Sequence, residues 1–329
     1  MKDRAVSILD NYEFQILRTW KGRGAILCET NQGIKILKEY NGAKDKIRMQ
    51  YNILLKVKEN GYTNIEEIIL NKEGEPFCVD MDSVTYIVKN YFEGRECNIK
   101  DEKECFTAVR KLALLHNAMT LPEIAAEMTL TELPIVYEFD KRNKELRKVR
   151  RYLKEKSQKT DFELFLLKNY DFFYNRAIET TEELKKYPLD KWMHQLLESG
   201  TFSHGDYQYH NILFHGDTVN IVNFEKYALD DPIRDLYLFT RKLLEKNGWD
   251  IELGKELINE YSKERELTIE DRIQFIYRFL YPEKFWKIVN YYYNSTKSWI
   301  PLRNREKLEK IINQEEVKDL FVETVLRNI

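Results

Sequence analysis

Several features that would announce a function are missing from this sequence. Its four cysteines, Cys28, Cys78, Cys97 and Cys105, form no C-x-x-C pair. That excludes the common zinc and dithiol spacings, and the four read as small buried hydrophobes in a reducing compartment. No apolar run approaches the roughly 18–20 residues needed to cross a bilayer. The opening M-K-D-R-A-V-S-I-L-D is broken by charge too early for a secretory signal. The chain is therefore expected to be made and kept in the cytosol unless another protein carries it elsewhere. An excess of one charge is missing too. The formal net charge is −2, so global electrostatics give no reason to expect nucleic acid or membrane as a partner. Internal repeats and low-complexity tracts are absent.

What is present suits an ordinary globular protein. Hydrophobic residues make up 43% and charged residues 33% of 329 positions, with 21 Tyr and 17 Phe to thicken the cores. This is enough chain for one large domain or two lobes sharing a cleft. Residues 12–40 read as an antiparallel meander of three strands, with N-Q-G closing the second hairpin. Ile34, Ile36 and Lys38 share one strand face. A lysine continuing an apolar face either snorkels at the sheet edge or points into a cleft.

Residues 45–59 form a helical pattern with Ile47, Tyr51, Leu54 and Leu55 on one stripe, ended by Asn60-Gly61. Gln50 lies on the same side and can hydrogen-bond Lys38 without neutralising it. Further strands at Ile68–Leu70, P-F-C-V-D and S-V-T-Y-I-V-K-N-Y-F complete a small five-stranded sheet. Asn90 to Arg95 reads as a hinge. From Lys103 the pattern is helical, with His116 on an apolar stripe as a core histidine. Residues 140–156 carry nine Lys and Arg against Glu145 and Glu155, either a solvated helix face or a surface for an anionic partner. With residues 161–186 they are expected to form an antiparallel helix pair over the cleft. Pro232 opens another helix, and 252–329 is helical with Pro282 and Pro301 as punctuation.

The chemistry concentrates in residues 203–225, S-H-G-D-Y-Q-Y-H-N-I-L-F-H-G-D-T-V-N-I-V-N-F-E. Asp206 can accept a hydroxyl proton, and Asn211, five residues later, can offer an amide oxygen to magnesium. These are the paired parts of a kinase catalytic loop. His204 holds the loop rather than transferring protons. The second metal ligand is due a short strand later, where a kinase has Asp and this chain has Asn223.

H-G-D-Y-Q-Y-H-N, then I-V-N-F-E and D-P-I-R-D-L, resembles the aminoglycoside and choline phosphotransferase branch of the protein-kinase-like fold. N-F-E-K, D-L-Y-L-F-T-R-K-L-L-E-K-N-G-W-D and Y-P-E-K-F-W-K-I-V-N-Y-Y-Y-N-S-T-K-S-W-I resemble CotS-type spore coat proteins of endospore-forming bacteria, over nearly the whole chain. The resemblance implies an α+β, two-lobed fold. Residues 1–92 would form the N-terminal lobe. Residues 93–329 would form a helical C-terminal lobe, holding the 203–225 hairpin and a basic helical insertion near 140–186. It also implies synthesis in the mother cell and assembly into the spore coat, with other coat proteins, a small molecule or a polysaccharide as partners.

Carried over residue by residue, Lys38 matches the phosphate-binding lysine and Asp206 the catalytic base. Asn211 matches a magnesium ligand, and Asp235 the acid that braces the loop. Asn90 and Tyr91 fall at the nucleotide-binding hinge. Gln50 stands where a kinase helix has Glu. K-G-R-G at Lys21–Gly24 abbreviates the phosphate-covering loop.

At Asn223 a charge is lost near a divalent ion, worth on the order of 4 kcal/mol at an effective dielectric near 20. That is about a thousandfold in rate if felt only in the transition state. Glu225, two residues on, is expected on the same strand face as a stand-in ligand. ATP and Mg2+ binding is expected to be weak or absent. Two readings follow: a coat component with impaired catalysis, or an active phosphotransferase on a small hydroxylated compound or coat polymer.

Overall fold

The computed structural model describes residues 6–22, 24–294 and 301–328. The chain divides into two compact units. One comprises the chain up to Ile124 with Phe202–Ala228, and the other Ala125–Thr201 with the chain from Leu229 onward. The 203–225 hairpin thus falls with the N-terminal sheet, whereas a boundary at 92/93 would set it among the helices.

In the first unit, β1 (Ile16–Lys21), β2 (Ile26–Thr30), β3 (Gly33–Glu39), β4 (Cys78–Val79) and β5 (Thr85–Asn90) form one antiparallel sheet in the order β1-β2-β3-β5-β4. The expected strand at Ile68–Leu70 is reduced to a single bridge, Ile68 to Lys89. The N-Q-G hairpin forms as expected, pairing Thr30 with Gly33. Period-two alternation sorts the side chains. Leu37, Tyr86 and Val88 enter a core with Leu9, Tyr12, Cys28 and Cys78. Ile36 and Lys38 take the opposite face of β3. Ile36 pairs with Lys89 and Lys38 with Ile87, so both lysines emerge on that same face.

Helix α1 (Lys44–Glu59) buries Ile47, Gln50, Ile53, Leu54 and Val57. The stripe is rotated from the one expected: Leu55 is exposed and Tyr51 only partly covered. The helix ends at Asn60, and Gly61 follows with φ +90°. After β6 (Arg95–Glu96), helix α2 (Glu102–Ala118) is capped by Asp101, whose side chain accepts from the backbone N–H groups of Lys103 and Glu104. His116 is fully buried on it. A single turn, α3 (Pro122–Ala125), follows. Strand β7 (Phe202–Ser203) leads into the loop, and β8 (Ile212–His215) and β9 (Thr218–Ile221) make the expected hairpin, with β6 at its edge.

The second unit is helical: α4 (Pro134–Glu155), α5 (Asp161–Leu184), α6 (Leu189–Ser199), α7 (Ile233–Leu244), α8 (Ile251–Ser262), α9 (Ile269–Leu280), α10 (Glu283–Asn294) and α11 (Pro301–Thr324). Helices α4 and α5 run antiparallel, tied by Asp140 to Lys185 at one end and Arg150 to Asp171 toward the other. Thr160 and Glu163 close a capping box at the start of α5. No described helix is long and apolar enough to cross a membrane.

Candidate active site

Beneath the sheet of the first unit lies a cavity of about 310 Å³. Leu27 and Ile36 line it from the sheet, Leu213 and Val222 from the hairpin, and Lys38, Lys89 and Asn223 at its polar end. Gly22 and Ala25 also line it, joined by a Gly22 N–H to Ala25 carbonyl bond of 2.9 Å. Gly22 and Ala25 thus bring the ends of the abbreviated loop together at the cavity, and Arg23 lies outside the described residues.

The polar end is a chain of alternating charges. Lys38 Nζ donates to both carboxylate oxygens of Glu225 at 2.8 Å. Glu225 also accepts from Lys89 Nζ at 3.0 Å, and Lys89 donates in turn to Glu66 at 2.9 Å. Burial alone would lower the Lys89 ammonium, but Glu66 and Glu225 hold its pKa above the ordinary value. Burial likewise pushes the Glu225 carboxyl up, and the two lysines outweigh it, so Glu225 titrates below its ordinary range.

Glu66 is the anchor of this chain. It is buried, and it accepts from Gln50 Nε2 at 2.7 Å, from the Asn223 N–H at 2.8 Å and from the Phe224 N–H at 3.0 Å. Gln50 therefore does not reach Lys38 as expected; it supports Glu66 from below. Glu66 comes from the irregular stretch after α1, and it pairs with the β5 lysine, Lys89, while the β3 lysine, Lys38, pairs with Glu225. Sequence reasoning missed both Glu66 and Lys89. The bond-forming pattern that reveals them is long-range, and only Lys89's position in an otherwise apolar strand offered a local signal.

The loop from His204 to Asn211 is fixed by its backbone. Gly205 sits at φ +78°, and a Cβ there would fall 1.9 Å from the Lys226 carbonyl oxygen. Only glycine permits that approach. His204 is fully buried; its Nδ1 accepts the Asp206 N–H at 3.1 Å, and its Nε2 lies 3.0 Å from the Val222 carbonyl. Those contacts define a neutral tautomer protonated on Nε2 and a loop-holding role. Asp206 receives Lys226 Nζ at 2.8 Å on one oxygen and the Gln208 side-chain amide on the other. Burial raises the Asp206 carboxyl, yet the Lys226 ammonium and the Gln208 amide more than offset it and keep the pKa below the usual Asp value. Asp206 is an ionised carboxylate able to accept a proton once Lys226 moves aside.

Asn211 donates Nδ2 to the Asp206 carbonyl at 2.8 Å, which turns its Oδ1 toward Asn223. Asn223 Nδ2 fills that position at 2.7 Å. The two residues expected to share a metal bond each other. Asn223 adopts a left-handed conformation, φ +68°, and a 3-10 turn, Phe224–Lys226, begins directly after it. The expected alternation of Asn223 and Glu225 along one strand face fails because the strand has ended. Glu225 swings toward the lysines instead of joining the amides.

These donors do not fit a magnesium ion as arranged. Magnesium favours carboxylate and water oxygens in an octahedron, whereas here the one aligned amide oxygen is taken and the three nearby carboxylates, Asp206, Glu225 and Glu66, are each held by an ammonium group. Among the described residues, no group of three or more His, Cys, Asp and Glu could hold a metal. Asn90 and Tyr91 do line the cavity. Their backbone N–H groups are spent on Glu67 and Ile34, at 2.9 and 3.0 Å, and the Asn90 side chain bonds Lys35 and Glu67. Asp235 lies in the other unit, fully buried in the first turn of α7.

Solved structures share this fold. An aminoglycoside phosphotransferase from Alicyclobacillus acidocaldarius matches with a TM-score of 0.81 at 18% identity, over 98% of this chain and 95% of its own. A spectinomycin phosphotransferase, APH(9)-Ia, solved with ADP and spectinomycin, matches with a TM-score of 0.68 at 14% identity, over 97% and 98%. The amicoumacin kinase hAmiN, solved with AMP-PNP and Ca2+, matches at 0.58 and 15%, over 99% and 94%. The fold is that of the two-lobed aminoglycoside phosphotransferase-like kinases. The family described as "Spore coat putative kinase YutH" matches residues 5–325, and this chain belongs to that family.

Proposed function

We propose that this protein is a kinase-fold component of the spore coat in which phosphotransfer is impaired and which acts through interactions. It would be made in the mother cell and assembled with other coat proteins. The observation that carries this reading is the amide pair of Asn223 and Asn211, which satisfies internally the positions a nucleotide-bound metal needs. The Glu225 carboxylate on Lys38 adds to it, since a phosphate must displace that carboxylate to reach the ammonium. ATP, with or without magnesium, is therefore expected to bind weakly or not at all. Thermal-shift titration with ATP in the presence and absence of magnesium tests this; a large magnesium-dependent stabilisation sinks it.

One observation favours the second reading, an active phosphotransferase on a small hydroxylated molecule or a coat polysaccharide or protein. Asp206 is ionised, its backbone N–H is held by His204, and its side chain is 17% exposed. That reading requires turnover by the native chain, and its loss on Asp206→Asn, measured as ADP release with candidate acceptors.

A further inference from the structure

The basic helix α4 separates into two sets of cations. Those turned toward neighbouring groups are held there: Arg142 by Glu138 and Glu283, Arg150 and Lys154 by Asp171, and Arg147 by the Tyr174 hydroxyl. Lys156, just past its end, meets Glu163. Four others, Lys141, Lys144, Lys148 and Arg151, are exposed and have no acidic partner among the described residues. Their spacing of three, four and three residues puts them in one row along the helix, about 15 Å long at 1.5 Å per residue. Tyr137 and Tyr152 stand at either end of the row, 56% and 51% exposed. Glu155 is the one exposed acid near its C-terminal end. A solvated face ordinarily mixes signs, and this whole chain has a formal charge of only −2. The row is a segregated charge.

We propose that this face of α4 docks an acidic helix of a protein partner, one presenting carboxylates three and four residues apart. Successive cations rise about 4.5, 6.0 and 4.5 Å, the same rises as i, i+3 and i+4 carboxylates on a helix. An extended acidic strand repeats on one face about every 6.6 Å and falls out of register within two contacts. Three of the four cations are Lys, compact point charges that pair with carboxylate or phosphate alike, so the choice of a carboxylate helix rests on the register. The flanking tyrosines supply the rigid aromatic contacts that interfaces favour over open surface. The inference is independent of whether the kinase site turns over.

The probe is a fluorescent helical peptide with Glu at i, i+3, i+4 and i+7, against a scramble of equal composition. Heparin and duplex DNA serve as competitors. The full-length protein should bind the patterned peptide more tightly than the scramble. Binding should weaken at least about tenfold between about 50 and 300 mM salt, as screening predicts. The triple variant Lys141→Glu, Lys144→Glu, Lys148→Glu should lose binding with an unchanged melting temperature. If that variant unfolds, the neutral triple Lys→Gln at the same positions should show the same loss. Equal affinity for the scramble, tighter binding to heparin or DNA than to the peptide, or full binding by a folded triple variant overturns the proposal.

Discussion

Asn223 Nδ2 lies 2.7 Å from Asn211 Oδ1, a direct amide-to-amide hydrogen bond where a phosphotransferase would place a metal. The Asn211 amide cannot turn over to avoid it, because its own nitrogen is committed to the Asp206 carbonyl. On the proposed reading, Asn in place of Asp at 223 leaves this position self-bonded.

Replacing Asn223 by Asp removes the donor and sets two acceptors against each other. The left-handed backbone at this position tolerates Asp nearly as well as Asn, so the loss is one of polar pairing, about 1–3 kcal/mol. Asn223→Asp should melt lower than the native chain in EDTA and recover when magnesium is added. The native chain should not respond to magnesium. Melting curves in both conditions check it, and equal behaviour of the two proteins refutes the pairing argument.

Restoring the helix acid should damage the protein. Gln50→Glu puts a second carboxylate 2.7 Å from Glu66, where the amide now donates. At neutral pH the cost should be about 2–4 kcal/mol, from a lost hydrogen bond and a buried like-charge pair. The pair's shared proton binds more tightly folded than unfolded, so this penalty shrinks as pH falls. The variant's melting temperature, relative to the native chain's, should rise from pH 7 toward pH 5.

Glu225 makes the opposite pH signature. Its carboxyl titrates below its ordinary value in the folded chain because Lys89 and Lys38 hold the charge against the penalty of burial. Its contribution to stability is complete above the unfolded value, about 4.3, and is lost as pH falls through the lower folded value. Glu225→Gln should flatten that part of the acid denaturation curve. It should also free Lys38, while Lys89 keeps Glu66, and strengthen inhibition or binding by inorganic phosphate. Calorimetric titration with phosphate measures the second effect; no gain means Glu225 does not occupy the anion position.

Gly205→Ala tests the loop itself. The variant must carry a side chain at φ +78° and clear a carbonyl that would lie 1.9 Å from its Cβ. A loss of about 3 kcal/mol is expected from strain and displacement together. Denaturant unfolding reports it; a loss below about 1 kcal/mol would mean the loop moves freely.

The local parts of this site were legible in sequence, and the parts made by tertiary contact were not. Lys38 could be placed by strand alternation, and the turn around Asn211 by the residues of the loop. Asp206 and His204 followed from their spacing. Glu66 had no such signature, because it lies ahead of the apolar run Ile68–Leu70, in a stretch that makes only isolated bridges. Lys89 had only its place in an otherwise apolar strand to mark it. Glu225 was misassigned for a physical reason: a left-handed residue at 223 ends the alternation on which the expectation rested. The rotated stripe of α1 is a similar case, since Gln50 was buried as a polar support and displaced Leu55 to the surface.

The ladder of Lys38, Glu225, Lys89 and Glu66 has a consequence for what can enter the cavity. Its two ammonium groups are cancelled by its two carboxylates, and the amides beyond carry no charge, so the polar end is electroneutral. A triphosphate arriving there meets no unspent positive field, and any attraction has to be created by breaking an internal pair first. A flat, uncharged ring system meets no such toll against the apolar walls of Leu27, Ile36, Leu213 and Val222. On the proposed reading, the site would discriminate by the charge of its visitor before it discriminates by shape.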